Sequence, residues 1–480
     1  MELLDVAVRP TAIVKAVPPV KPPVPTEMAL AIERLHASTS FYTAEPIVDQ
    51  LLDMLAWPSD SRKLVDPSCG DGAFLGAALE RLLVVEPDAS DARIAHLVQG
   101  WEIHYFAAAE ARQRLERILV AHGRSTTRAQ AVAEGMVRLG DFLTQGPLTA
   151  TWDCVAGNPP FLRYSNLPTI LREEYERTLP DYSRGDILHS FIARLALVLN
   201  AGGEIALVTS DRWLFTENAA TLREVVGQTK GLRHVARLDC ASAFYRPKNR
   251  RSGQPPRIHP VAVVFCDAAS ATIPLTRAPI YPEADDAAYV GCNPLQSVAA
   301  VRLAPWLGKH GLFVVDQATA AVANIPAELL VPAIDTDNMK GGVLSAPTKF
   351  AIRTYRNVEP PPSVLAHLDA NMHLLAKSKV RTTQRWLPPE SFEKMDLTQE
   401  RLLIPRIANS LRPVRVPAGI LPLDHGISIV GAGSMTLDQL EAALMRPEAE
   451  AWVRARAPRL ENGYFSLTTR LLRALPVRFD

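Results

Sequence analysis

Between residues 40 and 267, short apolar runs alternate with longer stretches whose apolar residues recur at helical spacing. Lys63-Leu64-Val65-Asp66 predicts a short strand, and the alanines and leucines that follow Gly72 predict a helix to about Leu83. His96 to Ile103 predicts a second strand with a helix, Tyr105 to Val120, behind it; Val137 to Leu139 predicts a third. Thr151 to Gly157 predicts a fourth that stops abruptly at Asn158-Pro159-Pro160-Phe161, because proline has no N–H for a ladder and holds φ. Asp186 to Leu199 reads as a helix closed by an Asn200-Ala201-Gly202-Gly203 turn, Glu204 to Thr209 as a fifth strand and Glu217 to Val226 as another helix. Val235 to Leu238 and Val261 to Phe265 complete a seven-stranded sheet as an antiparallel pair. The alternation indicates one α/β domain with a Rossmann-like, doubly wound sheet over residues 39–267.

Residues 1–38 read as a flexible Pro-rich arm with a short helix, Glu27 to His36, before the extended aromatic turn Phe41-Tyr42-Thr43. Residues 268–300, rich in Ala, Pro and Asp, read as a linker. From 301 to 480 the alternation fades into short apolar runs and prolines, which predicts a C-terminal α+β domain.

Composition changes this picture little. The 480 residues carry a net charge of +1, but residues 301–480 hold 22 Lys and Arg against 17 Asp and Glu, a mild bias toward a polyanionic partner. Cys69, Cys154, Cys240, Cys266 and Cys292 are widely spaced with no CxxC pair, which argues against a disulfide framework and a zinc site; no metal is expected. No long apolar run and no signal peptide occur, so the expectation is a soluble, cytoplasmic protein that does not engage a membrane.

The candidate chemistry collects at strand ends, where ligands of open α/β sheets sit. Gly70 and Gly72 permit a tight turn and close backbone approach. Glu102 ends the second strand, where an acid can take ribose hydroxyls, and Asp141 ends the third, where it can accept from an adenine amino group with Phe142 packed on the ring. Asn158 ends the fourth: a side-chain carbonyl, rigid prolines and the Phe161 ring make a clamp for a flat, amino-bearing group such as a nucleobase.

Two motifs carry a resemblance. Asp66-Pro67-Ser68-Cys69-Gly70-Asp71-Gly72-Ala73-Phe74-Leu75 resembles the cofactor loop, and Asn158-Pro159-Pro160-Phe161 the catalytic tetrapeptide, of amino-directed DNA methyltransferases that use S-adenosylmethionine. With Phe41-Tyr42-Thr43 ahead of the loop and a large domain last, the order is similar to the gamma class of N6-adenine methyltransferases from restriction-modification systems. That resemblance implies a methyltransferase domain followed by a recognition domain for double-stranded DNA over 301–480, with any cleavage left to a separate restriction endonuclease. It implies that Thr43, Asp66, Ser68, Cys69, Gly70 and Gly72 hold the methionine part of the cofactor, Glu102 the ribose, and Asp141 with Phe142 the adenine. Asn158 and Pro159 would accept the hydrogens of the target amine, and Pro160 and Phe161 would complete the clamp on a base turned out of the duplex. One departure stands out: where the family places a second aromatic this chain has Ala219, leaving Phe215 or Tyr164 as substitutes.

Rival readings are methylation of an RNA base or a protein glutamine, and an inactive DNA-binding subunit. Arg246, Lys248, Arg250, Arg251 and Arg257 form a basic loop suited to phosphates. In the C-terminal part Lys377, Lys379, Arg381, Arg385, Arg406, Arg412 and Arg415, with Trp386 among them, suggest a DNA-facing surface.

Overall fold

The computed structural model describes residues 26–59, 61–245, 259–284, 286, 289–376, 379–381, 383–432 and 435–478. The chain divides into two compact units, Met1–Pro279 and Ile280–Asp480.

The first unit is built on strands β1 (Leu64–Asp66), β2 (Val98–Glu102), β3 (Val137–Leu139), β4 (Trp152–Gly157), β5 (Leu199–Ser210), β6 (Lys230–Arg237) and β7 (Pro260–Asp267). They lie in the order β3-β2-β1-β4-β5-β7-β6. Neighbours from β3 to β5 are parallel, and β7 runs antiparallel between β5 and β6. Both faces of the central strands are covered, which is why Val65, Val155, Leu207 and Val263 are fully buried and the strands read as unbroken apolar runs. The chain reverses its strand order at β1 and β4, whose carboxyl ends are Asp66 and Gly157. A crevice between outgoing connections opens at such a reversal.

The helices that matter to that crevice are α1 (Glu27–Thr39), α2 (Ala73–Val85), α3 (Tyr105–Ala121), α4 (Thr169–Thr178) and α5 (Ile187–Val198). The α2 sequence, AFLGAALERLLVV, is apolar almost all round and buries Phe74, Leu75, Ala78, Leu79, Leu82 and Leu83 in the core. Side-chain caps start three of the others: Thr26 accepts from the Ala29 N–H, His104 from Ala107, and Asp186 from Leu188.

Several boundaries differ from the sequence expectation. His96 belongs to a helix, Asp91–Leu97, whose start is capped by Ser90, so β2 begins only at Val98. A further helix, Thr126–Met136, was not expected, although Ala129, Val132, Ala133 and Met136 bury one stripe of it. Asn200 to Gly203 is not a helix-closing turn but the irregular entry of β5, where pairing with β4 shifts register between Trp152 and Cys154 and Gly202 adopts φ of 72°. Residues 1–25 and the basic loop 246–258 lie outside the described residues. Among the described residues no helix is long and apolar enough to cross a membrane.

The second unit is α+β, with two four-stranded sheets. One orders Ala299–Leu303, Gly426–Gly431, Arg401–Pro405 and Val414–Val416, all antiparallel. The other orders Val314–Asp316, Lys349–Ile352, Leu330–Ile334 and Leu421–Pro422. Leu295, within the stretch that composition marks as a linker, is fully buried among Leu402, Ile427 and Leu472. Of the basic residues singled out from the sequence, Lys379, Arg385, Arg406 and Arg412 are exposed. Arg415 is engaged by Asp438 and Glu441, Arg381 by the carbonyls of Pro388 and Pro389, and Trp386 packs against the core of this unit and donates to the Tyr355 carbonyl. Lys377 lies outside the described residues.

Candidate active site

A cleft with about 840 Å³ of space, open to solvent, lies over the carboxyl ends of β1 to β4. Its walls bring together Thr43, Asp66, Ser68, Cys69, Gly70, Glu102, Asp141, Phe142, Asn158 and Pro160, ten of the residues singled out from the sequence. Gly72, Pro159 and Phe161 are not among its lining residues: Gly72 caps α2 behind the loop, Pro159 is buried, and Phe161 is half-buried just beyond.

The loop after β1 is shaped by its neighbours. Gly70 has φ of 54°, and a Cβ there would lie 2.9 Å from the Tyr42 ring, so the aromatic strip can close on the loop only over glycine. The Asp66 carboxylate accepts from the Ser68 N–H at 3.0 Å and sits against Gly157, where a Cβ would meet it at 2.6 Å. Glu102 crosses to the same loop: Oε2 accepts from the Gly70 N–H at 2.9 Å and Oε1 from the His104 N–H at 2.8 Å. Burial drives the carboxyl of Asp66 well above the usual range and raises that of Glu102. Burial likewise pushes the Cys69 thiol up and keeps it neutral, so this residue serves through its backbone, accepting from the Gly72 N–H and donating to the Trp101 carbonyl.

At the far end Asp141 starts a short helix, accepting from the Leu143 N–H at 2.9 Å and the Thr144 hydroxyl at 3.1 Å. Burial raises its pKa, and the Tyr175 hydroxyl of α4 also donates to it. A carboxylate offers about four acceptor positions, so three bonds leave one for an incoming amino group. Phe142 is buried, edge-on to Trp101 and stacked at 6.1 Å on Phe191 of α5, with part of its surface on the cleft.

The amide of Asn158 is held by one half only. Nδ2 donates to the Phe41 carbonyl at 2.9 Å, which leaves Oδ1 as the outward acceptor. Among the described residues Oδ1 has no hydrogen-bond partner although it is buried, and the same is true of the hydroxyls of Thr43 and Ser68. An unpaired buried acceptor costs about 1–3 kcal/mol. Three such groups on residues that line one cleft are what a binding site looks like before its ligand supplies the missing partners. The chain beyond the tetrapeptide is held by Asp186, which accepts from the Leu162 N–H at 3.0 Å as well as capping α5.

Sequence reasoning missed part of the wall. Leu35, His36 and Thr39 of α1, with Ser40, line the cleft, as do Tyr175, Ile187 and Phe191. Position along the chain marks none of them; the helical stripe that buries Leu35 and the aromatic at 191 were the available signals. Of the two aromatics weighed against Ala219, Tyr164 is buried with its ring 6.4 Å from that of Tyr175, whereas Phe215 is half-buried; Ala219 itself is fully buried.

Residues 124–244, which run from just before the helix Thr126–Met136 through the tetrapeptide to Phe244, match the family described as Eco57I restriction-modification methylase. That match takes in 121 of the chain's 480 residues. Among characterised proteins it is similar to the type II methyltransferase M.PaeR7I of Pseudomonas aeruginosa, 30% identical over 228 residues that make up 45% of this chain and 40% of that one. It is also similar to M.XhoI of Xanthomonas vasicola, 24% identical over 508 residues that cover 91% of this chain and 90% of that protein. The alignment with M.BstVI of Geobacillus stearothermophilus again covers about two fifths (40%) of that protein. The fold of this chain is similar to that of the solved structure of the type IIL restriction-modification enzyme MmeI in complex with DNA, with a TM-score of 0.55 and 14% identity over 92% of this chain and 65% of that one.

Proposed function

We propose that this protein is a site-specific DNA methyltransferase that moves a methyl group from S-adenosylmethionine to N6 of an adenine turned out of the duplex, in a restriction-modification or phage-defence setting. One observation carries the reading: the Asn158 amide is anchored through its NH₂ group, its oxygen is buried without a partner among the described residues, and Asn158 lines the same cleft as Glu102 and Asp141.

The cofactor fits the donor set. Glu102 suits the ribose hydroxyls, the remaining acceptor position of Asp141 suits the adenine amino group, and Thr43 and Ser68 offer unpaired hydroxyls to the amino acid end. When bound, S-adenosylmethionine supplies an electrophilic methyl group. The chain's own residues must make a poor nucleophile competent, since an exocyclic amine delocalises its lone pair into the ring. Asn158 Oδ1 accepts one of its hydrogens and the Pro159 carbonyl the other, which favours a pyramidal nitrogen and stabilises the positive charge that grows on it. These dipoles are fixed by Phe41 and by the two prolines before the base arrives, so little reorganisation is needed. Turning a base out of the stack costs a few kcal/mol, and the half-buried Phe161 and Phe215 are the rings available to receive it. Residues 301–480 serve as the DNA target recognition domain, with Arg406 and Arg412 among the exposed cations that meet phosphates.

The test is transfer of labelled methyl to duplex DNA, RNA and a glutamine-bearing protein, followed by nucleoside analysis. N6-methyladenine in DNA is the expected product, lost in Asn158→Ala. Label on RNA or protein, or on cytosine, overturns the proposal.

A further inference from the structure

The strip Phe41 to Thr43 bears on three features of the cleft. The Phe41 carbonyl anchors the Asn158 amide, the Tyr42 ring covers Gly70, and Thr43 contributes one of the unpaired hydroxyls. Locally, the Phe41 N–H donates to the Thr39 carbonyl at 2.9 Å. The strip's partner is Phe244–Tyr245, with Tyr42 opposite Tyr245 and Thr43 opposite Phe244 in an antiparallel pair. The Phe41 and Phe244 ring centres are 6.2 Å apart and those of Tyr42 and Tyr245 5.8 Å, and the Ala44 N–H donates to the Ala243 carbonyl at 3.0 Å.

A ladder two residues long is a weak clamp by itself. A side-chain network strengthens it. The Tyr245 hydroxyl donates to Asp71 Oδ2, in the glycine loop. Arg114 of α3 donates to the same oxygen at 2.8 Å through Nη2 and to the Asp71 carbonyl at 3.0 Å through Nε. Burial first, and the Asp71 carboxylate second, hold the Tyr245 phenol well above its ordinary pKa, so it remains the donor. The Asp71 side chain is only 14% exposed, and hydrogen bonds to charged groups are the stronger kind.

We propose that Tyr245 and Asp71 form a latch that sets the position of the Phe41–Thr43 strip on the glycine loop and, through the Phe41 carbonyl, the orientation of the Asn158 amide. Both are positioning residues for methyl transfer, which rests on the function proposed above. Arg114 fixes Asp71 from the α3 side and also donates to the Tyr245 hydroxyl at 3.5 Å. A small displacement of the strip shifts Thr43, the cover of Gly70 and the Asn158 anchor together, and a misplacement of about 1 Å in such a site can cost roughly 10²-fold in rate.

Tyr245→Phe keeps the ring and the ladder and deletes one hydroxyl. The expected result is a Kd for S-adenosylhomocysteine raised about five- to tenfold, and kcat at saturating DNA and cofactor lowered at least about tenfold. Asp71→Asn is expected to act in the same direction, and the double variant to be no worse than the more impaired single variant by more than about twofold, because both remove one interaction. Wild-type kcat and Kd in Tyr245→Phe would overturn the latch even if its melting temperature fell, since that is the behaviour of a merely structural tyrosine. Losses that multiply in the double variant would overturn it too. A wild-type protein that binds S-adenosylhomocysteine but methylates no DNA would instead refute the proposed function, and the Kd comparison would still decide whether the latch exists.

Discussion

Replacing Asn158 with alanine separates the demands of folding from those of catalysis, and the structure sets the sign of each. The substitution deletes the hydrogen bond from Nδ2 to the Phe41 carbonyl, worth about 0.5–1.5 kcal/mol. It also deletes a buried oxygen that has no partner among the described residues, which relieves about 1–3 kcal/mol. The two terms offset, so the folded state is expected to be unchanged or slightly more stable. At about 2–4 °C per kcal/mol for a unit of this size, the melting temperature should stay level or rise by a few degrees. Turnover should move the other way: loss of one prearranged acceptor at a site of growing charge typically costs about 10²–10³-fold in kcat. The assay is a thermal melt of ligand-free protein beside single-turnover methylation of a DNA library, with S-adenosylhomocysteine binding as the control. A drop of more than about 4 °C would mean that the amide is there for the fold. A kcat within about tenfold of wild type would mean that Oδ1 does not face the reacting amine.

Other perturbations have equally definite signs. Gly70→Ala places a Cβ 2.9 Å from the Tyr42 ring at φ of 54°, so a destabilisation of about 1–3 kcal/mol together with loss of cofactor binding is expected, measured by denaturant unfolding and calorimetry. Burial raises the Glu102 pKa, so the folded state binds its proton more tightly than the unfolded chain does. Its stabilising contribution is therefore complete below the ordinary glutamate value of 4.5 and is lost as pH climbs through the raised folded value. Glu102→Gln should accordingly match wild-type melting in acid and exceed it at neutral pH while binding cofactor more weakly; a melting difference that does not grow with pH would contradict this. If the exposed Arg406 and Arg412 both meet phosphates, replacing the two with alanine should flatten the slope of log affinity against log salt by about 1.8, and an unchanged slope would remove them from the DNA interface.

Much of the site was legible because it depends on chemistry that lies at the ends of strands. Asp66 and Glu102 end their strands, Asn158 follows directly on its strand and Asp141 after one residue, and the parallel sheet brings those four ends to one cleft. The boundary errors have local causes. Helix Asp91–Leu97 runs directly into β2 with no polar break between Leu97 and Val98, so periodicity alone merges the two. The irregular entry of β5 follows from its pairing with β4, which no turn residue announces.

What the amino-acid order settled alone is therefore the succession of strands in the first unit, the glycine loop, and the amide and carboxylates placed at the strand ends, because backbone chemistry and burial of short apolar runs act over a few residues. What only the tertiary structure decided is how those groups are held. The Phe41 carbonyl that fixes one half of the Asn158 amide, the Tyr245 hydroxyl on Asp71, the Tyr175 hydroxyl on Asp141, and the wall built by α1 all join residues far apart in the chain. Such contacts arise when packed elements meet, and local sequence carries no signal for an encounter that depends on the whole core.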